Sequence, residues 1–198
     1  MRDCKLSTFL TTNIDMDVLS IEKCLSQQKT RLLKKGELIV QEGNICKYTY
    51  FVERGLLRIY SVDEKGKEHL LQFAPEGWFI TDHDSFFYQK PSVYNIQALE
   101  NTEAYLLDEH FFHQLSIQHH EFSSFNARLL HNHISQLQKR IMYLIAHTAE
   151  ERYLNFIQLY PDLLLRVPQT MVASYLGITP ESLSRIRKEL AQKNFYQR

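Results

Sequence analysis

The segment that decides the fold runs from Val172 to Leu190 and reads VASYLGITPESLSRIRKEL. Its apolar residues follow helical spacing on both sides of one glycine, Gly177. Glycine suits the left-handed residue that ends a helix, and Thr179 followed by Pro180 is typical of the start of the next one. The segment therefore predicts two short helices joined by a tight turn, which is a helix-turn-helix.

The outward face of the second helix carries the residue types that read DNA bases. Glu181, Ser184, Arg185 and Lys188 follow one another at i, i+3, i+4 and i+7. Arginine can bind guanine with two hydrogen bonds, glutamate can accept one from cytosine N4, and serine is adaptable. We predict that Glu181, Ser184 and Arg185 read bases. The residues expected at phosphates are Thr179, Arg187, Lys188 and Lys193. The alternative is an ordinary solvated helix face.

The residues before the helix-turn-helix predict further short elements. Thr148 with the acidic residues behind it predicts a helix start, and Pro161 predicts its end. The apolar run over 163–167 has the character of a short strand. Pro168 predicts the start of the first helix of the pair, over 169–176.

A long helix is predicted upstream, where no glycine occurs between residues 78 and 176. Its apolar positions step by three and four as in a heptad repeat, with Ile and Leu at the two core positions, which favours a parallel two-stranded coiled coil. The predicted dimer seam is Ala127, Leu130, Ile134, Leu137, Ile141 and Leu144. The alternative is a single amphipathic helix packed on its own domain. A second apolar face, formed by Phe122, Phe125 and Leu129, leaves the seam available for a partner.

The residues from about 30 to 107 predict a small antiparallel β-domain. Five of the six glycines lie between Gly36 and Gly77 and separate short runs of alternating apolar residues. Asp63 to Gly66 is a hairpin signal between two such runs. Residues 14–27 predict a preceding helix.

This order of elements resembles the Crp/Fnr superfamily of bacterial transcription regulators over essentially the whole chain, and most closely its Bacteroidetes members. Gly36-Glu37-(x)5-Gly43 and Phe51-Val52-(x)2-Gly55-(x)2-Arg58 are similar to its cyclic-nucleotide-binding-like roll, and Leu176 to Arg185 is similar to its helix-turn-helix. The resemblance implies an α+β fold: an antiparallel β-roll (jelly roll), a long dimerisation helix and a C-terminal winged helix-turn-helix. The expected domains are a roll over 1–108, a dimerisation region over 109–147 and a DNA-binding domain over 148–198.

The resemblance also implies partners. Glu181, Ser184 and Arg185 match the Glu-x-x-Ser-Arg pattern of the Fnr branch, which implies a homodimer on a palindromic operator with TTGAT-like half-sites in duplex DNA. Pro180 stands where the Crp branch has an arginine. RNA polymerase is a further partner if the protein is an activator.

Ligand binding is where the sequence departs from the family. Cyclic-nucleotide binders carry a Gly-Glu pair and a later arginine that clamps the phosphate, but here Trp78 follows Gly77, and no arginine occurs between Arg58 and Arg128. Burying a phosphate without a guanidinium partner is costly. We therefore expect no cofactor and no cyclic AMP. The candidate pocket residues are Gly77, Trp78, Phe79 and Tyr94, which either fill the pocket or line it for an apolar ligand.

Composition narrows the remaining classes of function. The 23 basic and 23 acidic residues balance, but residues 139–198 hold nine basic and five acidic ones, a local charge of +4. That distribution suits a protein that contacts DNA through one small module. The three scattered cysteines fit neither an iron–sulfur cluster nor a disulfide framework. The nine histidines leave haem or another metal as a minor alternative, and no metal site is predicted. A cupin-like metalloenzyme and a Crp-like ligand sensor are the alternatives, although no nucleophile or phosphate-loop motif is present. No membrane segment or signal peptide is visible, so a cytoplasmic location is expected.

Overall fold

The computed structural model describes residues 4–14 and 18–196. The described residues form two compact units, one within residues 1–67 and 71–130 and the other from residues 68–70 and 131–198. The predicted domain limits at residues 108 and 147 stay predictions.

Within residues 4–14 and 18–196, eight strands form two four-stranded sheets, as predicted for an antiparallel roll. The first sheet has the order β1-β8-β3-β6 and the second the order β2-β7-β4-β5. The strands are β1 Lys29–Leu33, β2 Leu38–Val40, β3 Thr49–Arg54, β4 Leu57–Val62, β5 Glu68–Ala74, β6 Phe79–Ile80, β7 Asn95–Ala98 and β8 Thr102–Leu107. The turn between β4 and β5 confirms the predicted hairpin, since Asp63 bonds the backbone N–H groups of Lys65 and Lys67 at 2.9 Å.

Apolar side chains fill the interior of this roll. The buried cluster includes Tyr50, Val52, Ile59 and Ile96, each with at most 4% of its surface exposed. Alternation along the strands sends the neighbouring residues to the other face. The helix α3, His83–Tyr88, lies between β6 and β7, and its N-cap Asp82 accepts the N–H groups of two of the next residues.

Helices cover the other face of the first sheet. They are α1 Lys5–Asn13, α2 Val18–Ser26, α4 Glu109–Gln118 and the first part of α5 His120–Ala146. Phe122 and Phe125 of α5 are buried against this face and Leu129 packs beside them, so the second apolar face of the long helix is confirmed.

The helix predicted over residues 14–27 is wrong in its limits. Ile14 is the C-cap of α1, which was not predicted, and α2 begins at Val18; residues 15–17 lie outside the described residues. The start of α1 depends on a distant residue, since the Glu53 carboxylate on β3 accepts the backbone N–H groups of Lys5 and Leu6. A cap supplied by another strand leaves no local sequence signal.

The second unit contains the rest of α5, followed by short helices. They are α6 Ala149–Leu159, α7 Leu163–Arg166, α8 Gln169–Leu176 and α9 Pro180–Tyr196. The strand-like reading of 163–167 is wrong: the Val167 N–H bonds the Leu163 carbonyl at 3.1 Å and closes one helical turn. Among the described residues after α5 there is no strand, so the strands of the predicted wing do not lie within residues 147–196.

The start of α6 confirms the predicted cap at Thr148. Its hydroxyl accepts the Glu151 N–H at 3.2 Å, and the Glu151 carboxylate accepts the Thr148 N–H at 2.8 Å, which forms a reciprocal capping box. The Thr148 N–H, and after it the Thr148 hydroxyl, donate to the Glu151 carboxylate and hold the pKa of Glu151 below its usual range.

Candidate nucleic-acid interface

The turn between α8 and α9 has the geometry that its sequence predicts. Gly177 has a φ of 66°, and its N–H bonds Ser174 O at 3.1 Å while the Ile178 N–H bonds Ala173 O at 3.0 Å. This left-handed ending satisfies carbonyls that the helix leaves free. Thr179 is the N-cap of α9, since its hydroxyl accepts the Ser182 N–H at 3.2 Å.

A small core fixes the orientation of α9. Leu183 is fully buried and Ile186 is 5% exposed. They share the second unit with buried residues of the preceding helices: Tyr153, Phe156, Val172, Ala173 and Leu176. Because these apolar residues set which side of α9 faces inward, the opposite side must face the solvent.

The predicted base-reading residues lie together on that opposite side. Glu181, Ser184 and Arg185 are all exposed, and the Arg185 side chain keeps 74% of its surface. The Arg185 Nε lies 3.9 Å from Glu189 Oε1, an exposed i,i+4 pair that contributes little to stability and leaves the guanidinium available.

Glu181 is held in its ionised form. Its own backbone N–H and the Thr179 hydroxyl bond the carboxylate and keep the pKa of Glu181 below its usual range. An ionised carboxylate can only accept hydrogen bonds, which is what cytosine N4 requires.

The predicted phosphate contacts differ in their surroundings. Lys188 is exposed and Arg187 is half-buried. The Lys193 ammonium instead bonds both oxygens of Glu150 on α6, at 3.0 and 3.2 Å. A phosphate contact by Lys193 would have to compete with this ion pair. The Thr179 hydroxyl is already engaged as a cap, so its contact with a phosphate would be a shared one.

The predicted dimer seam is an exposed apolar stripe along α5. Exposure reaches 53% at Ile134 and 54% at Ile141, and Leu130, Leu137 and Leu144 keep 37–45%; Ala127 is exposed as well. The heptad pattern does not include Met142 and Ile145, which are 55% and 76% exposed and widen the stripe. Apolar surface of this extent on a helix is typical of an interface.

The four candidate pocket residues do not converge. Trp78 and Tyr94 pack against the interior of the roll, whereas Phe79 faces the helices on the outside, with its ring centroid 4.9 Å from that of Phe51. Gly77 ties the turn down through a 2.8 Å bond from its N–H to Val52 O.

Arg58 is a buried cation to which the sequence motif alone gives no role. It is 4% exposed, donates two bonds to Gln97 Oε1 at 3.0 and 2.7 Å, and stacks 3.9 Å from the ring centre of Tyr60. These contacts show that Arg58 is built into the second sheet.

Two further observations concern other kinds of site. The described part of the chain contains no group of three or more His, Cys, Asp or Glu side chains that could hold a metal ion. Within residues 4–14 and 18–196, no helix has both the length and the hydropathy needed to cross a membrane.

A β-roll followed by a long helix and a C-terminal helix-turn-helix defines a class of regulator in which one chain carries a sensor-like domain and a DNA-reading module. The cyclic nucleotide-binding domain family matches residues 30–119. The transcriptional activator protein FnrA of Stutzerimonas stutzeri is 27% identical over 93% of this chain and 80% of its own length. These comparisons show a cyclic nucleotide-binding domain at residues 30–119 and a similarity to FnrA that extends over most of the chain.

Solved structures share the fold. FixK2 from Bradyrhizobium japonicum aligns with a TM-score of 0.72 at 19% identity, over 84% of this chain and 86% of its own. A protein from Eubacterium rectale, described as a transcriptional regulator of the Crp/Fnr family, aligns with a TM-score of 0.65 at 18% identity, over 93% of this chain and 87% of its own. The match to Bacteroidetes members in particular stays a prediction.

Proposed function

We propose that this chain is a transcription regulator that binds a palindromic operator in duplex DNA as a homodimer, without catalytic activity, in the cytoplasm. The observation that carries the proposal is the exposed face of Glu181, Ser184 and Arg185 on α9. A packed core holds this face outward, and a helix with these side chains fits the major groove.

Dimerisation follows from α5. Two copies would bury the stripe around Ile134 and Ile141 against each other, which removes apolar surface that a single chain leaves in water. A two-fold dimer then places two α9 helices in successive major grooves, about 34 Å apart. RNA polymerase would be the further partner of an activator.

The reading residues divide the half-site between them. Arg185 would bind guanine through O6 and N7, and the ionised Glu181 would accept from cytosine N4. The family pattern favours TTGAT-like half-sites. Arg187 and Lys188 would bind phosphates, as would Thr179, and Lys193 would join them by releasing Glu150.

The proposed regulator does not depend on cyclic AMP. Trp78 and Tyr94 occupy space against the interior of the roll, and the buried guanidinium of Arg58 is committed to Gln97 and Tyr60. A cyclic phosphate would need a new cationic partner there. Isothermal titration of the full chain with cyclic AMP should show no heat of binding; saturable low-micromolar binding would contradict this part of the proposal and favour a Crp-like sensor.

Selection of bound sites from a random duplex pool, with and without cell extract, tests the proposal directly. We expect one palindrome to be enriched; dependence on the extract would reveal an effector. Binding to that site should weaken steeply with salt because phosphate contacts release counterions. No enrichment in either condition would refute the proposal.

Variants then separate base reading from phosphate binding. Arg185→Ala should lose about 1–3 kcal/mol for the selected site and little for unrelated DNA, and Lys188→Ala should weaken binding to all sequences more evenly. Lys65→Ala, in the β4–β5 turn, removes the same charge from the roll and serves as the matched control. Unchanged affinity of Arg185→Ala for the selected site would show that the reading face is wrongly assigned.

A further inference from the structure

Two arginines from outside the helix-turn-helix bind the end of its first helix. Arg140 on α5 donates from Nη2 to the carbonyl of Tyr175 at 3.2 Å, and Arg152 on α6 donates from Nη1 to the carbonyl of Leu176 at 2.9 Å. Tyr175 and Leu176 are the last two residues of α8. Their carbonyls have no helical N–H to bind, and they form the negative end of the helix dipole. Guanidinium groups therefore satisfy both carbonyls.

Arg140 makes a second contact with the same residue. Its guanidinium carbon lies 3.7 Å from the centre of the Tyr175 ring, which is within the range of a cation–π interaction. A planar group that stacks on a ring and also bonds the adjacent carbonyl restricts sliding as well as rotation of α8 against α5.

The turn that follows α8 also lies against α5. A Cβ atom added at Gly177 would be 3.4 Å from Leu144 Cδ2 and 3.6 Å from Arg152 Nη1. Leu144 belongs to the predicted dimer seam, so the turn before the recognition helix rests on the same helix that carries the seam. No side chain at residue 177 intervenes between them.

We propose that Arg140 and Arg152 are positioning residues that hold α8, and with it the recognition helix that follows, at a fixed angle to α5 and α6, and so select the spacing between the two half-sites. This inference rests on the proposed function. One added base pair moves a half-site by about 3.4 Å and rotates it by about 35°. A reader held rigidly on the dimer helix cannot follow that change, whereas a loosely held reader can.

The test measures affinity against spacing, a property that loss of stability alone does not change. Duplexes carry the two selected half-sites with the spacer at its selected length and at one or two base pairs shorter or longer. Fluorescence anisotropy compares the full-length wild-type chain with Arg140→Met, Arg152→Met and Lys139→Met. Lys139 is the exposed neighbour of Arg140, so its variant removes one charge from the same helix turn and serves as the matched control.

We expect the wild type and Lys139→Met to lose about tenfold or more for a spacer that is wrong by one base pair, which is comparable to a mismatched base. Arg140→Met and Arg152→Met should lose only about threefold, because the freed reader can follow the displaced half-site. An arginine variant that binds more weakly at every length but keeps the wild-type profile would overturn the inference.

Circular dichroism checks that each variant is folded. If Arg140→Met is not, Arg140→Lys replaces it, since lysine keeps the charge but lacks the planar fork. A flattened profile for Arg140→Lys supports the inference and a wild-type profile overturns it. A wild-type chain that enriches no palindrome would instead refute the proposed function, so the two failures are distinguishable.

Discussion

Alanine at Gly55 should destabilise the β-roll far more than alanine at an ordinary turn glycine. Gly55 lies between β3 and β4 with a φ of 101°. A Cβ atom there would lie 2.5 Å from Thr102 Oγ1, 2.7 Å from Thr102 Cα and 2.8 Å from Asn101 O. Two of these atoms belong to the backbone, so no rotation of a side chain relieves the overlap.

Three costs combine at this position. A positive φ costs alanine about 1–2 kcal/mol. Overpacking against the Thr102 backbone adds about 1–3 kcal/mol. Thr102 Oγ1 also accepts the N–H of the fully buried Leu56 at 3.1 Å, and displacing it would leave a buried donor unpaired, which costs about 1–3 kcal/mol. Because partial relaxation reduces these terms, we expect a loss of about 4 kcal/mol in the free energy of unfolding.

Gly66→Ala is the matched control. Gly66 also has a positive φ, 77°, but a Cβ there would meet nothing within 4 Å, so only the backbone cost of about 1–2 kcal/mol applies. Urea unfolding followed by the fluorescence of Trp78, the single tryptophan, reports on the roll. Gly55→Ala should be about 2–3 kcal/mol less stable than Gly66→Ala. Free energies within about 0.5 kcal/mol of each other would refute the steric argument.

Three further changes test other parts of the structure. Ile141→Asp should leave the single chain folded, because Ile141 is 54% exposed. It should abolish the dimer in sedimentation velocity, because the new charge would be buried between two helices. A persistent dimer would show that the seam lies elsewhere. Thr148→Ala should lower the free energy of unfolding by about 1 kcal/mol, measured by thermal unfolding, because the α6 cap is lost. Thr148→Ser keeps the hydroxyl and serves as the control. Equal stability of the two variants would contradict the capping role. The Glu151 carboxylate has a lowered pKa in the folded chain, so it stabilises the fold above the usual carboxyl range, and that contribution disappears as the pH falls through the lowered pKa. The melting temperature of Glu151→Gln should therefore fall less steeply with acid than that of the wild type. Parallel profiles of melting temperature against pH would contradict this.

The sequence predicts the helix-turn-helix well because all its determinants are local. The left-handed Gly177, the Thr179 cap and the buried Leu183 and Ile186 lie within ten residues of one another, and the structure has each as predicted. Local signals of this kind agree with the tertiary structure when the same residues make both sets of contacts.

Local sequence signals do not predict elements that depend on distant residues. The start of α1 is capped by Glu53, which is 47 residues from Leu6, and neither segment indicates the other. The strand predicted at Leu163 is wrong for another reason: four apolar residues suit one helical turn as well as a buried strand. Burial separates the two, since Leu163 is 2% exposed whereas Leu165 is 91% exposed.

Two neighbouring residues of the candidate ligand pocket, Trp78 and Phe79, pack on opposite faces of the first sheet. Phe79 is the first residue of β6 and Trp78 directly precedes it, in extended backbone that still bonds β3 through the Val52 N–H, so the two side chains point to opposite faces of the first sheet. Trp78 packs against the roll interior, and Phe79 joins Phe9 of α1 and Phe51 of β3, with ring centroids at 5.2 and 4.9 Å. The sequence predicts that both aromatic residues belong to one pocket, but in the structure Trp78 packs in the roll interior and Phe79 packs against the helices.

The placement of Trp78 inside the roll and Phe79 outside it suggests a route by which a bound ligand would affect the helices. A ligand that displaced Trp78 would pull on β6, and β6 carries Phe79, which anchors α1 on the outer face. Coupling of that kind needs a two-state element that both sites bias. The short β6 is a suitable element because its two residues pair with Tyr50 and Phe51, and the residues just before it add two bonds to the backbone of Val52. A two-residue strand costs less to shift than β3 and β8, which pair with each other from Thr49 to Arg54 with one irregularity after Val52. Any response of the roll to an apolar ligand should therefore begin at β6 and reach the helices through Phe79.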